Sequence, residues 1–320
     1  MIARRSLLAG LALGLAIAPM APALAAPWQL ERSDVLSLRG PEGDEYRIMI
    51  SWPDGDAPPQ GWPVLWLLDG EEHFPIATLT ARKIGRGRGG RNAPAPVPAL
   101  APTPAPAASV QASPETGIIV AIDAGSRSRR SRDYTPPVTN IGTVPAGRPG
   151  SGLPTGGADA FLAFLGQKVR PEIARRWRID PERQTLMGHS FGGLFALHAL
   201  ARGGFWTRYV AVSPSLWFGD GAVQRTLADT GLTPGTKLLI ASGDQEGRGR
   251  PAMDGQDAGE QGTAPAQPAA TQPEGEMLAA HLSARGFDAR YILLTGQSHG
   301  TTMAAMLRDG IMMAFGSISG

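Results

Sequence analysis

The chain has 320 residues, of which 42% are hydrophobic and 18% charged, so it can form one large α/β domain or two small ones. It contains no cysteine, which excludes disulfides, cysteine metal sites and thiol catalysis. The formal net charge is only +2, which favours local charged patches over a global positive field.

The first 25 residues have the pattern of a signal peptide. Arg4 and Arg5 precede an apolar stretch at 7–18, and Ala23-Leu24-Ala25 is a small-x-small cleavage signal. The apolar stretch is too short and too rich in alanine for a stable membrane span. Cleavage after Ala25 predicts a periplasmic or secreted protein with a mature domain at 26–320. The two arginines also fit the twin-arginine route, although any signal peptide needs a basic start.

Short β-rich runs alternate with helical patterns through the mature chain. Strands are predicted at 35–38, 46–52, 63–68, 117–122, 184–187, 209–212, 237–241 and 290–294, and helices at 158–177, 192–201, 274–285 and 302–315. The middle strands are almost continuously apolar, which is typical of strands buried on both faces. The sequence therefore predicts a single α/β domain with a mainly parallel central sheet and helices on both faces.

Two stretches interrupt this alternation, at about 85–114 and 246–273. The first is rich in glycine, proline and alanine, and the second also in glutamine. Such compositions bury too little apolar surface to order themselves. We expect both to be surface insertions at strand ends.

A serine flanked by glycines follows the fifth predicted strand. Gly188-His189-Ser190-Phe191-Gly192 fits the G-x-S-x-G pattern of a nucleophile elbow, in which a sharp strand-to-helix turn exposes the serine hydroxyl. The pattern is loose in a chain with 42 glycines, and it recurs at 296–300 around Ser298. Acid and histidine follow the serine in α/β-hydrolases, and only Ser190 has both at the ends of later strands. Ser190 is therefore the predicted nucleophile.

Ser190 needs a base, because a serine hydroxyl is a weak nucleophile at neutral pH. Of the five histidines, only His299 lies in a short loop after the last strand, so it is the predicted base. A carboxylate should orient the base, and Asp244 and Glu246 both follow the strand at 237–241. Spacing alone does not decide between these two acids.

The oxyanion hole of such an elbow uses backbone N–H groups. The first is expected from Phe191, directly after the serine, and the second from the loop after the strand at 63–68. That loop contains Asp69 and Gly70, and the glycine is expected to allow the tight turn.

Several motifs together resemble the branch of the α/β-hydrolases that includes esterase D and the siderophore trilactone esterases. The matching segments are the elbow at 188–193, the loop at 67–70, and the segments 130–136, 156–164, 213–217 and 298–300. The resemblance runs from about residue 35 to the C-terminus, outside the two predicted insertions. With its export signal, the chain is most similar to the periplasmic esterases that linearise enterobactin-type catecholate siderophores.

This resemblance implies a cofactor-independent serine esterase that acts on a small ester, such as a ferric or apo catecholate siderophore. It implies Glu246 rather than Asp244 as the acid, although some siderophore esterases look like Ser-His dyads. It also implies the N–H of Glu71 as the second oxyanion donor. Arg130 and Arg132 would contact an anionic catecholate or carboxylate, and Trp217 would line the aromatic side of the pocket.

Other functions stay open at this point. The same residues fit an acyltransferase, a carbohydrate-ester esterase, or a non-catalytic siderophore-binding homologue. The arginine cluster at 127–132 also fits a solvated loop, and it lacks the interleaved aromatics of a nucleic-acid surface. The sequence has neither H-x-x-x-H metal spacing nor a G-x-x-x-x-G-K phosphate loop, so no metal and no cofactor are predicted.

Overall fold

The computed structural model describes residues 29–89, 116–142, 152–231, 235–246 and 271–316. The predicted signal peptide and most of both predicted insertions lie outside these residues. The strands are β1 (Ser33–Arg39), β2 (Glu45–Ser51), β3 (Trp62–Leu68), β4 (Ile118–Asp123), β5 (Ile179–His189), β6 (Arg208–Val212), β7 (Lys237–Gly243) and β8 (Asp288–Leu294). The helices are α1 (Gly70–Gly89), α2 (Arg127–Tyr134), α3 (Ala158–Phe164), α4 (Arg170–Arg176), α5 (Phe191–Ala201), α6 (Ala222–Asp229), α7 (Thr271–Ala284) and α8 (Thr302–Phe315).

All eight strands form one sheet in the order β1-β2-β4-β3-β5-β6-β7-β8. The neighbours from β4 to β8 pair in parallel, while β1 and β2 pair antiparallel at one edge. Strands β3, β4 and β6 are buried along their whole length, as their apolar runs predict. The predicted α/β class with a mainly parallel sheet is confirmed.

The helices cover both faces of the sheet. Helix α1 connects β3 to β4 in one direction across the sheet, and α5 connects β5 to β6 in the other, so right-handed crossovers put them on opposite faces. Two consecutive side chains of β5 point to opposite faces of the sheet and contact different helices, as this arrangement requires. Leu186 joins the core cluster that contains residues of α5, whereas Met187 closely approaches Gly310 of α8.

The structure differs from the sequence prediction at several helices. The predicted helix at 158–177 is α3 and α4 joined by a π-helical turn, Leu165–Val169. Residues 85–89, assigned to the first insertion, continue α1, and α7 begins at Thr271, inside the predicted limits of the second. Helix α1 contacts β4 and α8, and this packing overrides the low helix propensity of its glycines.

The arginine-rich segment is helix α2 rather than the loop that its composition suggested. Ser126 caps the helix, because its hydroxyl accepts a hydrogen bond from the N–H of Arg129 at 3.2 Å. Only three residues of α2 are buried, so it shows little apolar periodicity in the sequence.

Among the described residues, no helix has the length and apolar character needed to cross a membrane.

Candidate active site

The turn between β5 and α5 holds Ser190 in a strained backbone conformation. Ser190 has φ 58° and ψ −116°, outside the regions that L-residues normally occupy. Its N–H donates to the Val212 carbonyl at 2.9 Å, which ties the turn to β6. A Cβ at Gly188 would lie 2.4 Å from the Gly192 carbonyl oxygen, so only glycine fits at 188. These features fit the predicted nucleophile elbow.

His299 lies in the loop after β8 and contacts Ser190. Its Nε2 is 3.0 Å from the Ser190 hydroxyl oxygen, and its Nδ1 is 3.2 Å from a carboxylate oxygen of Glu246. A carboxylate only accepts, so Nδ1 carries the hydrogen and Nε2 is free to accept the serine proton. The three side chains, from the ends of three different strands, form one hydrogen-bonded line.

Glu246 is held as a buried carboxylate. Its second oxygen accepts hydrogen bonds from the Ser213 hydroxyl at 2.5 Å and from the N–H of Gly243 at 2.7 Å. Burial raises the pKa of Glu246, but the hydrogen bonds from His299, Ser213 and Gly243 outweigh it and lower the pKa to about 2. The group facing His299 is therefore anionic at neutral pH.

Asp244, the alternative acid, makes different contacts. Its carboxylate accepts from the N–H of Gly296 at 2.8 Å and from the Gln245 side chain at 3.0 Å. These bonds connect the turn after β7 with the loop after β8. The acid that contacts His299 is Glu246.

The two expected oxyanion donors lie in the first turns of two helices that follow neighbouring strands. Phe191 is the first residue of α5 after β5, and Glu71 is the second residue of α1 after β3. N–H groups in a first helical turn have no acceptor within the helix, so both are suited to a developing negative charge. The Glu71 side chain is largely exposed and pairs with Arg47 at 3.0 Å. The oxyanion roles of both N–H groups remain predictions.

Gly70 does not make the turn that precedes α1. The residue with positive φ there is Asp69, at 55°. Gly70 instead lets the turn lie close to β4, because a Cβ there would be 2.8 Å from the methyl group at the flexible end of Met49 and 3.1 Å from Ala121. The predicted reason for this glycine was therefore wrong.

The two arginines expected to contact substrate are already paired. Arg130 donates to both carboxylate oxygens of Asp69, at 2.6 and 2.8 Å, and to the His189 carbonyl at 3.0 Å. Arg132 pairs with Asp133 at 2.9 Å and with the acids of the β1–β2 turn, Glu42 and Asp44. The contacts of Arg132 favour a structural role, whereas Arg130 remains beside the elbow.

Trp217 lies in the segment after β6, next to the elbow. Its ring is 6.0 Å from the ring of Phe191, between centroids, and it is only half-buried.

A cleft of about 280 Å³ on the surface near Phe191 is lined by Asp69, Glu72, Arg127, Arg130, Ser131, Leu153, His189 and Phe191. A larger cleft of about 490 Å³ lies at the amino ends of β6 and β7. Ser190 lies at the other end of the parallel strands, after the carboxyl end of β5.

Four further residues, which the sequence did not indicate as part of the site, contact this line of side chains. They are His189, Ser213, Ser215 and Thr302. The hydroxyl oxygens of Ser215 and Ser190 are 3.4 Å apart, and the Thr302 hydroxyl donates to the His299 carbonyl at 3.1 Å. Ser213 and Ser215 belong to the Ser-Pro-Ser-Leu-Trp segment that carries part of the resemblance, which was the available signal.

The curated proteins described next, to which this chain is similar, are esterases. A family model described as "Putative esterase" matches residues 105–291, more than half of the chain. The Ferri-bacillibactin esterase BesA of Bacillus subtilis is 33% identical over 221 residues, which cover 64% of this chain and 67% of that protein. The Siderophore enterobactin esterase of Emericella nidulans is 33% identical over 227 residues, covering 65% of this chain and 64% of that one.

A solved structure agrees on the fold across nearly the whole chain. The siderophore hydrolase EstA from Aspergillus nidulans is similar with a TM-score of 0.67 and 26% identity, covering 90% of this chain and 96% of that one. The match extends well beyond the elbow and includes the sheet and its helices. The chain belongs to the "Putative esterase" family of α/β hydrolases.

Proposed function

We propose that this protein is an exported serine ester hydrolase that cleaves the ester bonds of catecholate siderophores, of which an enterobactin-type trilactone is the model substrate. The observation that carries the chemistry is the line of hydrogen bonds from the Ser190 hydroxyl through His299 to the buried Glu246. Nucleophile, base and carboxylate in this order activate a serine for acyl transfer.

The proposed reaction begins with attack of the Ser190 oxygen on the ester carbonyl carbon. His299 takes the serine proton on Nε2, and the Glu246 carboxylate stabilises the resulting imidazolium. The N–H groups of Phe191 and Glu71 donate to the carbonyl oxygen as it becomes an oxyanion. When the tetrahedral intermediate collapses, the C–O bond to the leaving alcohol breaks, and His299 gives that oxygen its proton.

The ester of Ser190 formed in this way is then hydrolysed. His299 accepts a proton from a water molecule, whose oxygen attacks the acyl carbon under the same two N–H donors. Breaking the bond to Ser190 releases the acid product, and the serine oxygen regains its proton from His299. The cycle uses only groups of the protein and water.

The substrate class rests on the relatives and on the charge beside the elbow. Both curated relatives are named as siderophore esterases, and the matched regions span about two thirds of their lengths. Arg127 and Arg130 line the cleft near Phe191 together with Asp69 and Glu72. Arg130 is paired with Asp69, so Arg127 is the first proposed contact for an anion, and Trp217 adds an aromatic surface next to the elbow. Cationic and aromatic groups together suit an anionic catecholate.

The proposal includes export and a single catalytic domain. The basic and apolar pattern of the first 25 residues, with its cleavage signal after Ala25, supports transport out of the cytoplasm. The mature protein at 26–320 would then be one α/β-hydrolase domain. A periplasmic or secreted location would bring the enzyme into contact with an imported or extracellular siderophore.

The test is turnover of an enterobactin-type trilactone by the mature protein, measured beside a p-nitrophenyl ester series. We expect ring opening to linear products, a higher kcat/KM for the trilactone than for the simple esters, and loss of both activities in Ser190→Ala and His299→Ala. An intact trilactone with active hydrolysis of simple esters would refute the substrate class. Ligand binding without any turnover would point to a binding protein, and acyl products on an added alcohol would point to transfer.

A further inference from the structure

We propose that His189, the residue before the proposed nucleophile, is a positioning residue that fixes the backbone and ring of the proposed base His299. The inference rests on the proposed function, because it concerns the same reaction. His189 makes no contact with the Ser190 hydroxyl among the hydrogen bonds of the described residues, so its effect would pass through His299.

The contact is a hydrogen bond to the backbone of the base itself. His189 Nε2 lies 2.7 Å from the carbonyl oxygen of His299, and the two imidazole centroids are 4.6 Å apart. A carbonyl oxygen only accepts, so Nε2 of His189 carries the hydrogen. His189 thus donates to the loop of the base and also packs against its ring.

The His299 loop needs such a tie. Its neighbours Gly296, Ser298 and Gly300 are exposed, and the bonds from the Gly296 N–H to Asp244 and from the Gln245 N–H to the Gln297 carbonyl hold the part of the loop before His299. The Thr302 hydroxyl also donates to the His299 carbonyl, at 3.1 Å, but Thr302 is only three residues further along the same segment. The side chain of His299 already contacts Ser190, and the bond from His189 ties the backbone of the base to the same strand-turn element.

His189 is itself firmly anchored. Its carbonyl oxygen accepts a hydrogen bond from Arg130 at 3.0 Å, and Arg130 is held by two hydrogen bonds to Asp69. One chain of contacts therefore runs from the turn before α1, through Arg130 and His189, to His299. This arrangement gives Arg130 a structural reason to lie beside the elbow that does not require contact with substrate.

A neutral donor suits this position. Burial lowers the pKa of His189 to about 3, and the neighbouring His299 acts in the same direction. His189 therefore remains uncharged when His299 takes the serine proton during the reaction. A lysine or arginine at 189 would instead repel the imidazolium at short range.

The experiment measures the reactivity of the Ser190 hydroxyl separately from substrate binding. Diisopropyl fluorophosphate labels an activated serine, so its second-order labelling rate is compared with kcat and KM for p-nitrophenyl acetate. His189→Phe keeps a ring and removes the donor, whereas His189→Gln keeps an amide N–H at a similar reach. A displacement of about 1 Å in a catalytic group costs up to about 100-fold in rate.

We expect His189→Phe to slow both labelling and kcat by about 10- to 100-fold with little change in KM, and His189→Gln to recover most of that loss. The matched control is His198→Phe. His198 is a buried histidine on α5 that bonds Asp159 at 2.8 Å, away from the site, so this variant should label at the parent rate. If His189→Phe does not fold, His189→Asn replaces it, because the shorter amide does not reach the His299 carbonyl.

The inference is overturned if the donor-free variant labels at the parent rate, or if only KM changes. It is also overturned if His189→Gln is no better than His189→Phe, or if His198→Phe loses as much activity. Failure of the proposed function looks different, because Ser190→Ala or His299→Ala would then retain turnover. Loss of activity in those two variants, with normal labelling in His189→Phe, would remove this inference alone.

Discussion

Glu246 and Asp244 are two residues apart in one turn, yet their carboxylates meet different partners. Glu246 is only 2% exposed and contacts His299, while Asp244 fixes the backbone at Gly296. The backbone conformation of the turn sets the direction of each side chain, and the number of residues between β7 and each acid does not give that conformation. The sequence therefore left the two acids open, and only the family resemblance favoured Glu246.

We expect Glu246→Gln to lower kcat/KM by about 10²- to 10⁴-fold, because the amide no longer stabilises the imidazolium of His299. Asp244→Asn is the matched control and should lose less than about tenfold. The assay is hydrolysis of p-nitrophenyl acetate by folded variants. Equal losses in the two variants would contradict the assignment of the acid, and an active Glu246→Gln would indicate a Ser-His dyad.

The low pKa of Glu246 also predicts how stability depends on pH. The carboxylate titrates at about 2 in the folded protein and at 4.5 in the reference state, so its stabilising effect is complete above pH 4.5 and is lost as the pH falls through 2. The difference corresponds to about 3 kcal/mol at neutral pH, of which about 2 kcal/mol should be lost by pH 3.

Urea unfolding of the parent and Glu246→Gln at pH 7 and pH 3 measures this effect. The difference in unfolding free energy between the two proteins should shrink at the lower pH. A difference that is independent of pH would mean that Glu246 is not held as a carboxylate.

At the scale of elements, the turn between β5 and α5 depends on close backbone contact. The positive φ of Ser190 brings Gly188 against Gly192, where a Cβ at 188 would lie 2.4 Å from a carbonyl oxygen. A Cβ at Gly192 would meet its nearest neighbours only at 3.5 Å, which is ordinary contact. The two glycines of the motif are therefore unequal.

We expect Gly188→Ala to destabilise the protein by roughly 1–3 kcal/mol and to reduce activity, because backbone atoms must move to admit the methyl group. Gly192→Ala should change the free energy of unfolding by less than about 0.5 kcal/mol. Urea denaturation of both variants makes the comparison. Equal destabilisation would show that the close approach does not govern the turn.

The elements that the sequence predicted well are those with strong apolar patterns. All eight strands were predicted, because buried parallel strands such as β3 and β4 are nearly all apolar. Helix α2 was missed, since it buries few residues and depends on the Ser126 cap. The partners of Arg132 were also out of reach, because Glu42 and Asp44 are about 90 residues away in sequence.

For the whole molecule, the sheet explains why residues distant in sequence meet at one site. Parallel strands end at the same edge, so the segments after β3, β5, β7 and β8 lie together there. Chain order and this rule were enough to predict Ser190 and His299. The contacts of His189 and Ser213 needed the actual loop conformations.

Export is a prediction about the intact chain. We expect the protein recovered from the periplasm or medium of a bacterial host to begin at Ala26, as measured by mass spectrometry. Ala25→Asp should block this cleavage, because the processing site requires a small residue. An active protein that stays in the cytoplasm with residues 1–25 intact would contradict the proposed location.

The most direct test of the central claim is to identify which serine is activated. The mature protein is treated with diisopropyl fluorophosphate, and the modified peptide is mapped by mass spectrometry in the parent, Ser190→Ala and His299→Ala. We predict a single adduct on Ser190 that is absent from Ser190→Ala and forms at least 100-fold more slowly in His299→Ala. An adduct on Ser298, in the second G-x-S-x-G match, or equal labelling of all three proteins would contradict the account.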